Sequence, residues 1–174
     1  LALAMLASAT YHFAHPFFLS RDYLHLPGVG LAVTQWMLLG GCLLCATIEA
    51  ERDAGYRTVA LDDDVAVIAP WWSGVPFELL VIPVQHEGHL HHASPASLVS
   101  TGTAIRDALS RLRTLLGDVS YNIVFHTLPH RSDDPFHWHA HITPRVHSTG
   151  GFELGTGVPI NIVAPEDVAA FLAG

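Results

Sequence analysis

The sequence predicts an α+β domain built on a mainly antiparallel sheet, with one long helix and one short helix. Three observations carry this. Short β-rich runs fill two stretches of the chain, a long helical pattern separates them, and a short helical pattern closes the chain. Arg57–Leu61 and Val65–Ala69 read as two strands flanking the turn Asp62-Asp63-Asp64. Phe77–Val84 is an almost continuous apolar run, the pattern of a central strand. Ser94-Pro95 then supplies a capping side chain followed by proline in the first helical turn. Leu98, Ile105, Leu109, Leu112 and Leu116 keep helical spacing as far as Gly117. Tyr121–Thr127 is a further strand and His130–Phe136 a polar loop. Phe136–Arg145 is a strand, Pro159–Val163 a shorter one, and Pro165–Leu172 the closing helix. No internal repeat or low-complexity tract interrupts this order.

The 174 residues suffice for one ordinary domain. Residues 1–40 differ in texture from residues 41–174. They are apolar and nearly uncharged, broken by Pro27-Gly28 and Gly30, with Leu31–Leu39 readable as a short buried helix. Lacking a polar face, this segment is expected to dock on the domain or be covered by a partner. Within it, residues 1–20 show no basic stretch before the apolar run, and His12, His15 and Pro16 interrupt that run. A signal peptide or spanning helix is therefore not expected.

Half of the chain is hydrophobic and 14% is charged, a globular composition. Net charge is −8 with histidine neutral, and all eight basic residues are arginine. A general nucleic-acid binder would show a basic patch, so nucleic acid is not an expected partner. A single phosphate remains compatible, because a few arginines, histidines and backbone N–H groups suffice for one. Two cysteines cannot build a disulfide framework. Cys42 and Cys45 stand instead at C-x-x-C spacing among thirteen histidines, which points to metal chemistry in a reducing, cytoplasmic compartment.

The densest chemistry lies in His137-Trp138-His139-Ala140-His141-Ile142-Thr143-Pro144-Arg145. Alternate residues of a strand share a face, so His137, His139 and His141 are expected on one side, roughly 7 Å apart. Trp138, Ala140 and Ile142 would face a core. Neutral imidazole is both a metal ligand and a nucleophile near neutral pH, and a partner on its second nitrogen fixes the reactive tautomer. Two thiolates and two imidazoles make a closed tetrahedral zinc set. His86, His89, His91 and His92, in the run His-x-x-His-x-His-His, compete for one of the imidazole places.

His-Trp-His-Ala-His-Ile-Thr-Pro resembles the histidine-triad signature of nucleotide-binding domains. The resemblance extends to Cys42-Leu-Leu-Cys45 and to Pro76-Phe-Glu-Leu-Leu-Val-Ile-Pro83 leading into His86. Tyr121-Asn122…His126-Thr127, His137-Trp138, the Gly151-Phe152-Glu153-Leu154-Gly155-Thr156-Gly157 stretch, Ile160-Asn161 and Pro165-Glu166 resemble the C-terminal half of galactose-1-phosphate uridylyltransferases and related sugar-nucleotide phosphorylases. The resemblance covers about residues 42–174 and implies a histidine-triad-like fold.

The resemblance implies zinc on Cys42, Cys45, His86 and His137, with a structural role because four protein ligands leave no open position. It places His139 as nucleophile and His141 beside the phosphate. Ser148, Phe152, Glu153 and Asn161 are expected to contact the sugar nucleotide. The expected substrates are a sugar nucleotide and a hexose 1-phosphate, as in UDP-glucose:hexose-1-phosphate uridylyl transfer in galactose metabolism.

Two-halved uridylyltransferases carry their nucleophile in an H-P-H-x-Q motif of the first half, where this chain shows only His15-Pro16-Phe17-Phe18. Three readings follow. The chain is one half of such a transferase, working with a separate N-terminal half or a second copy. It is a free-standing nucleotide hydrolase or phosphorylase using His139. Or it is a non-catalytic, zinc-stapled partner half. In some relatives histidines at the His126, His139 and His141 positions hold a second metal, iron or zinc, completed by a glutamate of the other half.

Overall fold

The computed structural model describes residues 41–132, 136–148 and 150–173. The expected helix Leu31–Leu39 and the His15-Pro16 dipeptide lie outside them.

The described chain opens with a helix absent from the sequence expectations, α1 (Leu43–Ala54). Leu44, Thr47, Ile48 and Glu51 form its buried stripe at positions i, i+3, i+4 and i+7. Gly55 ends it in the left-handed conformation at φ 68°, its N–H bonding the Glu51 carbonyl. Strands β1 (Thr58–Leu61), β2 (Val65–Ile68) and β3 (Leu79–Pro83) follow. A single 3₁₀ turn at Leu90–His92 leads into the long helix α2 (Pro95–Leu116). Then come β4 (Tyr121–His126), β5 (His139–Pro144), a six-residue helix α3 (Gly151–Thr156) and the closing helix α4 (Pro165–Ala173).

The sheet has the order β1-β2-β3-β5-β4, and every neighbouring pair is antiparallel. Its two faces are covered unequally. Val59, Val65, Val67, Leu79, Val81, Ala140 and Ile142 face α2 and α4, meeting Ala108, Leu112, Val168, Ala169 and Leu172 in the larger core. Ala66, Ile68, Leu80 and Ile82 face the other way, against Leu44 and Ile48 of α1. Leu80 registers with His141 and so shares its face. The smaller core draws nothing from β4 or β5, and this face carries His126, His139 and His141 there.

Helix α2 begins as the sequence expects. Ser94 caps it, its hydroxyl oxygen accepting from the Ser97 N–H at 3.1 Å, with proline in the first turn. Ser94→Ala is expected to cost about 1 kcal/mol, lowering the melting temperature by about 2–4 °C in calorimetry.

Two expectations need correction. Pro159–Val163 is not a strand. The Ile160 N–H donates to the Glu153 carboxylate and the Val163 N–H to the Asn161 side-chain oxygen, so side chains satisfy the donors a ladder would have used. The Gly151–Gly157 stretch preceding it is helical, closed by Gly157 at φ 70°. The strand expected from Phe136 begins only at His139, because the Trp138 N–H is taken by the Glu87 carbonyl. His137 therefore stands before the ladder.

Candidate functional site

Among the described residues, two groups bring potential metal donors within 4.8 Å of one another: Cys42, Cys45, His86 and His137, and separately His126, His139 and His141.

The first group gathers from three places. Cys42 is the N-cap of α1, and Cys45 lies one turn on, on the same side of the helix. His86 follows β3, and His137 precedes β5. The Cys42 Sγ lies 3.7 Å from His137 Nδ1, while the Cys45 Sγ lies 3.4 Å from His86 Nδ1 and 3.5 Å from His137 Nδ1. A tetrahedral zinc ion with ordinary bond lengths separates its sulfur and nitrogen ligands by about 3.6 Å. The spacing therefore fits a shared ion. The buried His137 ring donates its Nε2–H to the Pro83 carbonyl at 2.9 Å. That bond turns the Nδ1 lone pair toward the thiols, the arrangement that orients a ligating imidazole. The Cys45 contact, helped by His137, draws Cys42 far below the usual thiol range, and the same contact with burial pushes Cys45 up. A bound cation would let both ionise.

The second group occupies the open part of the sheet face. His126 and His139 are register partners on β4 and β5, their rings stacked with centroids 4.9 Å apart. The His141 ring lies 4.9 Å from that of His126 and 5.2 Å from that of His139. His139 donates its Nδ1–H to the His137 carbonyl at 2.7 Å, leaving Nε2 as the lone-pair nitrogen. Burial, with the neighbouring imidazoles, lowers its pKa to about 3, against the pull of that backbone bond. The ring is neutral at physiological pH. As pH falls below the usual imidazole value of about 6.5, the unfolded chain takes up a proton that the folded chain refuses, so this group makes stability fall with acidification.

Glu78 is the residue of this site that the sequence expectations missed. Its Oε1 accepts the His141 Nδ1–H at 2.8 Å, and its Oε2 accepts the Gly74 N–H at 2.9 Å. Glu78 stands two residues before Leu80, on the histidine side of β3. Phe77, directly before it, has φ 62°, a conformation costly for a bulky residue. The signal in the sequence was a lone carboxylate inside an apolar run. A carboxylate on Nδ1 fixes the ring tautomer and leaves Nε2 facing outward. Glu78→Gln is expected to lower stability by about 1–3 kcal/mol. It should also mix the His141 tautomers, which imidazole ¹⁵N chemical shifts would reveal.

The expected substrate contacts are disposed differently. Phe152 is exposed on α3 and Ser148 is exposed before it. Glu153 is engaged by the backbone: its carboxylate accepts the Gly150 N–H at 2.7 Å and the Ile160 N–H at 3.1 Å, which holds its pKa below the usual range. Asn161 donates to the Ser73 carbonyl at 3.3 Å. Ser73 adjoins Gly74, whose N–H bonds Glu78, so the 159–161 segment is linked to the histidine face through the loop before β3. Arg145 is exposed at the end of β5. No described helix is long and apolar enough to cross a membrane.

No family model matches the chain. An ADP-glucose phosphorylase of Arabidopsis thaliana is 35% identical over 134 residues, 75% of this chain and 37% of that protein. The crystal structure of an Arabidopsis ADP-glucose phosphorylase with bound ADP-glucose superposes with a TM-score of 0.69 at 32% identity, covering 82% of this chain and 46% of that one. A uridylyltransferase structure superposes at 0.71 with 23% identity, covering 82% and 47%, a likeness of fold. So does a zinc-bound histidine-triad protein of Mycobacterium smegmatis, at 0.54 and 20%, over 76% of this chain and 90% of that one. The chain spans less than half the length of the phosphorylase and uridylyltransferase proteins it matches. The described residues thus form a histidine-triad-like α+β domain, and the chain is similar, over part of their length, to ADP-glucose phosphorylase proteins of Arabidopsis.

Proposed function

We propose that this chain belongs to a nucleotidyltransferase that moves a nucleoside monophosphate between a sugar nucleotide and a hexose 1-phosphate or inorganic phosphate, with the nucleophile on this chain. Cys42, Cys45, His86 and His137 hold a structural zinc ion, which when bound ties α1 to β3 and β5. The observation that carries the reading is His139: a neutral imidazole whose Nδ1–H is held by the His137 carbonyl, leaving a lone pair on Nε2. That nitrogen attacks the α-phosphorus, and the phosphorus–oxygen bond to the β-phosphate breaks, its electron pair leaving with the sugar 1-phosphate. His141, held by Glu78, stands beside it. A phosphate oxygen of the acceptor then displaces the imidazole. UDP-glucose with a hexose 1-phosphate acceptor, as in galactose metabolism, fits the sequence resemblance. ADP-glucose fits the 35%-identical relative.

A second reading has a specific observation in its favour. His126, His139 and His141 converge closely enough to hold a second metal, iron or zinc, with a ligand from a separate N-terminal half. The nucleophile would then belong to that half.

Incubation with UDP-glucose or ADP-glucose labelled at the α-phosphate separates the readings. Label trapped on this chain, and lost in His139→Ala, supports His139 as acceptor. Label that appears only when a candidate N-terminal half is added, and on that half, supports the second. No label in either setting leaves a non-catalytic zinc-stapled half. The better nucleotide donor identifies the base.

A further inference from the structure

Of the histidine run after β3, only His86 belongs to a donor group. His89, His91 and His92 nevertheless meet in space around the 3₁₀ turn. Ring centroids lie 4.9 Å apart for His89–His91, 5.0 Å for His89–His92 and 4.2 Å for His91–His92. Three imidazoles on one transition-metal ion, each bound through nitrogen at about 2.05 Å, have centroids about 4.5–5.2 Å apart, depending on whether the geometry is octahedral or tetrahedral. Two of the three spacings fall within that range and the third lies just below it, while the donor nitrogens of this run, unlike those of His126, His139 and His141, do not all lie within 4.8 Å of one another. A 3₁₀ turn brings residues i and i+3 over one another, which is the relation of His89 to His92.

The scaffold beneath the rings is anchored. The Leu90 N–H donates to the Thr127 hydroxyl, the Leu128 N–H to the Gly88 carbonyl, and the Trp138 N–H to the Glu87 carbonyl. The Glu87 carboxylate accepts the His89 N–H at 3.0 Å and lies 3.8 Å from His92 Nδ1. Partial desolvation, followed by the imidazoles of His92 and His89, lowers the His91 pKa, which favours the neutral, ligating form. His91 and His92 are exposed. Metal binding here therefore requires these two exposed rings to turn.

We propose that His89, His91 and His92, with Glu87 at the rim, form a solvent-open site for a divalent transition metal of imidazole preference, such as Ni²⁺, Cu²⁺ or Zn²⁺. Water completes the coordination, so the ion exchanges, in contrast to an ion enclosed by the four ligands of the Cys-His quartet.

The test uses the zinc-loaded full chain and Ni²⁺ as probe. Paramagnetic broadening in ¹H–¹⁵N spectra is expected to centre on residues 87–93. His91→Ala/His92→Ala should weaken that binding by about a hundredfold, equal to about 2.7 kcal/mol, and leave zinc content unchanged. Because both rings are exposed, the variant's melting curve should match the parent's. Broadening centred instead on His126, His139 and His141, or unchanged in the double variant, overturns the site. Neither outcome depends on nucleotidyl transfer, so the proposed function stands or falls separately.

Discussion

Cys42→Ser is expected to lose zinc and thermal stability together. Serine keeps the size of the side chain but replaces a thiolate ligand by a hydroxyl, a poor ligand for zinc. Structural zinc in small finger domains contributes about 10–16 kcal/mol, because nothing else holds them together. Here two apolar cores persist on either side of the sheet, so the chain should stay folded at room temperature. A loss of about 3–5 kcal/mol is expected, which corresponds to about 6–20 °C in melting temperature. The position of Cys42 sharpens the test. It is the N-cap of α1 and makes no side-chain capping bond, whereas serine is a favoured N-cap. The substitution should improve the helix start, so any destabilisation comes from the metal site. Acid should mimic the mutation, since thiolates and imidazoles must shed their protons to ligate. Metal analysis and calorimetry on the same preparation decide the matter: a variant with a full equivalent of zinc and an unchanged melt would overturn the quartet.

The elements legible in the sequence were those whose periodicity is set by a single core. Helix α2 shows its stripe because it faces one sheet surface, and β2 and β3 show continuous apolar runs because both their surfaces are covered. Helix α1 was not legible for a physical reason. Two of its four buried stripe positions are polar, Thr47 and Glu51, each satisfied locally: Thr47 donates to the Leu43 carbonyl, and Glu51 accepts from Arg57. Hydrophobic spacing alone does not register such a stripe. Pro159–Val163 looked like a strand because composition cannot tell an extended segment held by side chains from one held by a ladder.

At the site, chemistry was more legible than position. The quartet Cys42, Cys45, His86 and His137 does converge, and so do His126, His139 and His141. His137 lies before the ladder, yet it turns to the cysteines of α1, the helix that covers the sheet face carrying His139 and His141. Glu78 escaped because its partner lies 63 residues away, and only the register of β3 with β5 brings the two together. Glu153 and Asn161, expected at the ligand, also tie backbone segments to one another. Sequence shows that a carboxylate is present, not whether its oxygens are already engaged.

Glu51→Ala is expected to destabilise the fold strongly, although it lies outside the metal and histidine sites. Arg57 and Glu51 side chains are each only 2% exposed. The Glu51 carboxylate accepts the Arg57 backbone N–H at 3.0 Å and its Nε–H at 2.6 Å, and also pairs with the second guanidinium nitrogen. Arg57 reaches on to Glu166 of α4 at 2.8 Å. One guanidinium thus joins α1, the start of β1 and the closing helix. A buried pair is only weak support for stability when whole, because desolvation offsets attraction. Removing one member is different. Alanine at 51 leaves Arg57 enclosed, facing a Glu166 side chain that is 34% exposed, at a cost of about 3–5 kcal/mol. Glu166→Ala, at the more solvated end, should cost about 1 kcal/mol or less. Replacing both buried partners, Glu51→Leu with Arg57→Met, removes the buried charge that has lost its enclosed carboxylate and should recover much of the loss. Denaturant melts of the three variants give the order: Glu166→Ala nearest the parent, the double variant next, Glu51→Ala lowest. A Glu51→Ala protein as stable as the double variant would mean that Arg57 finds solvent or another partner once Glu51 is gone, and that the three elements are not joined through this charge.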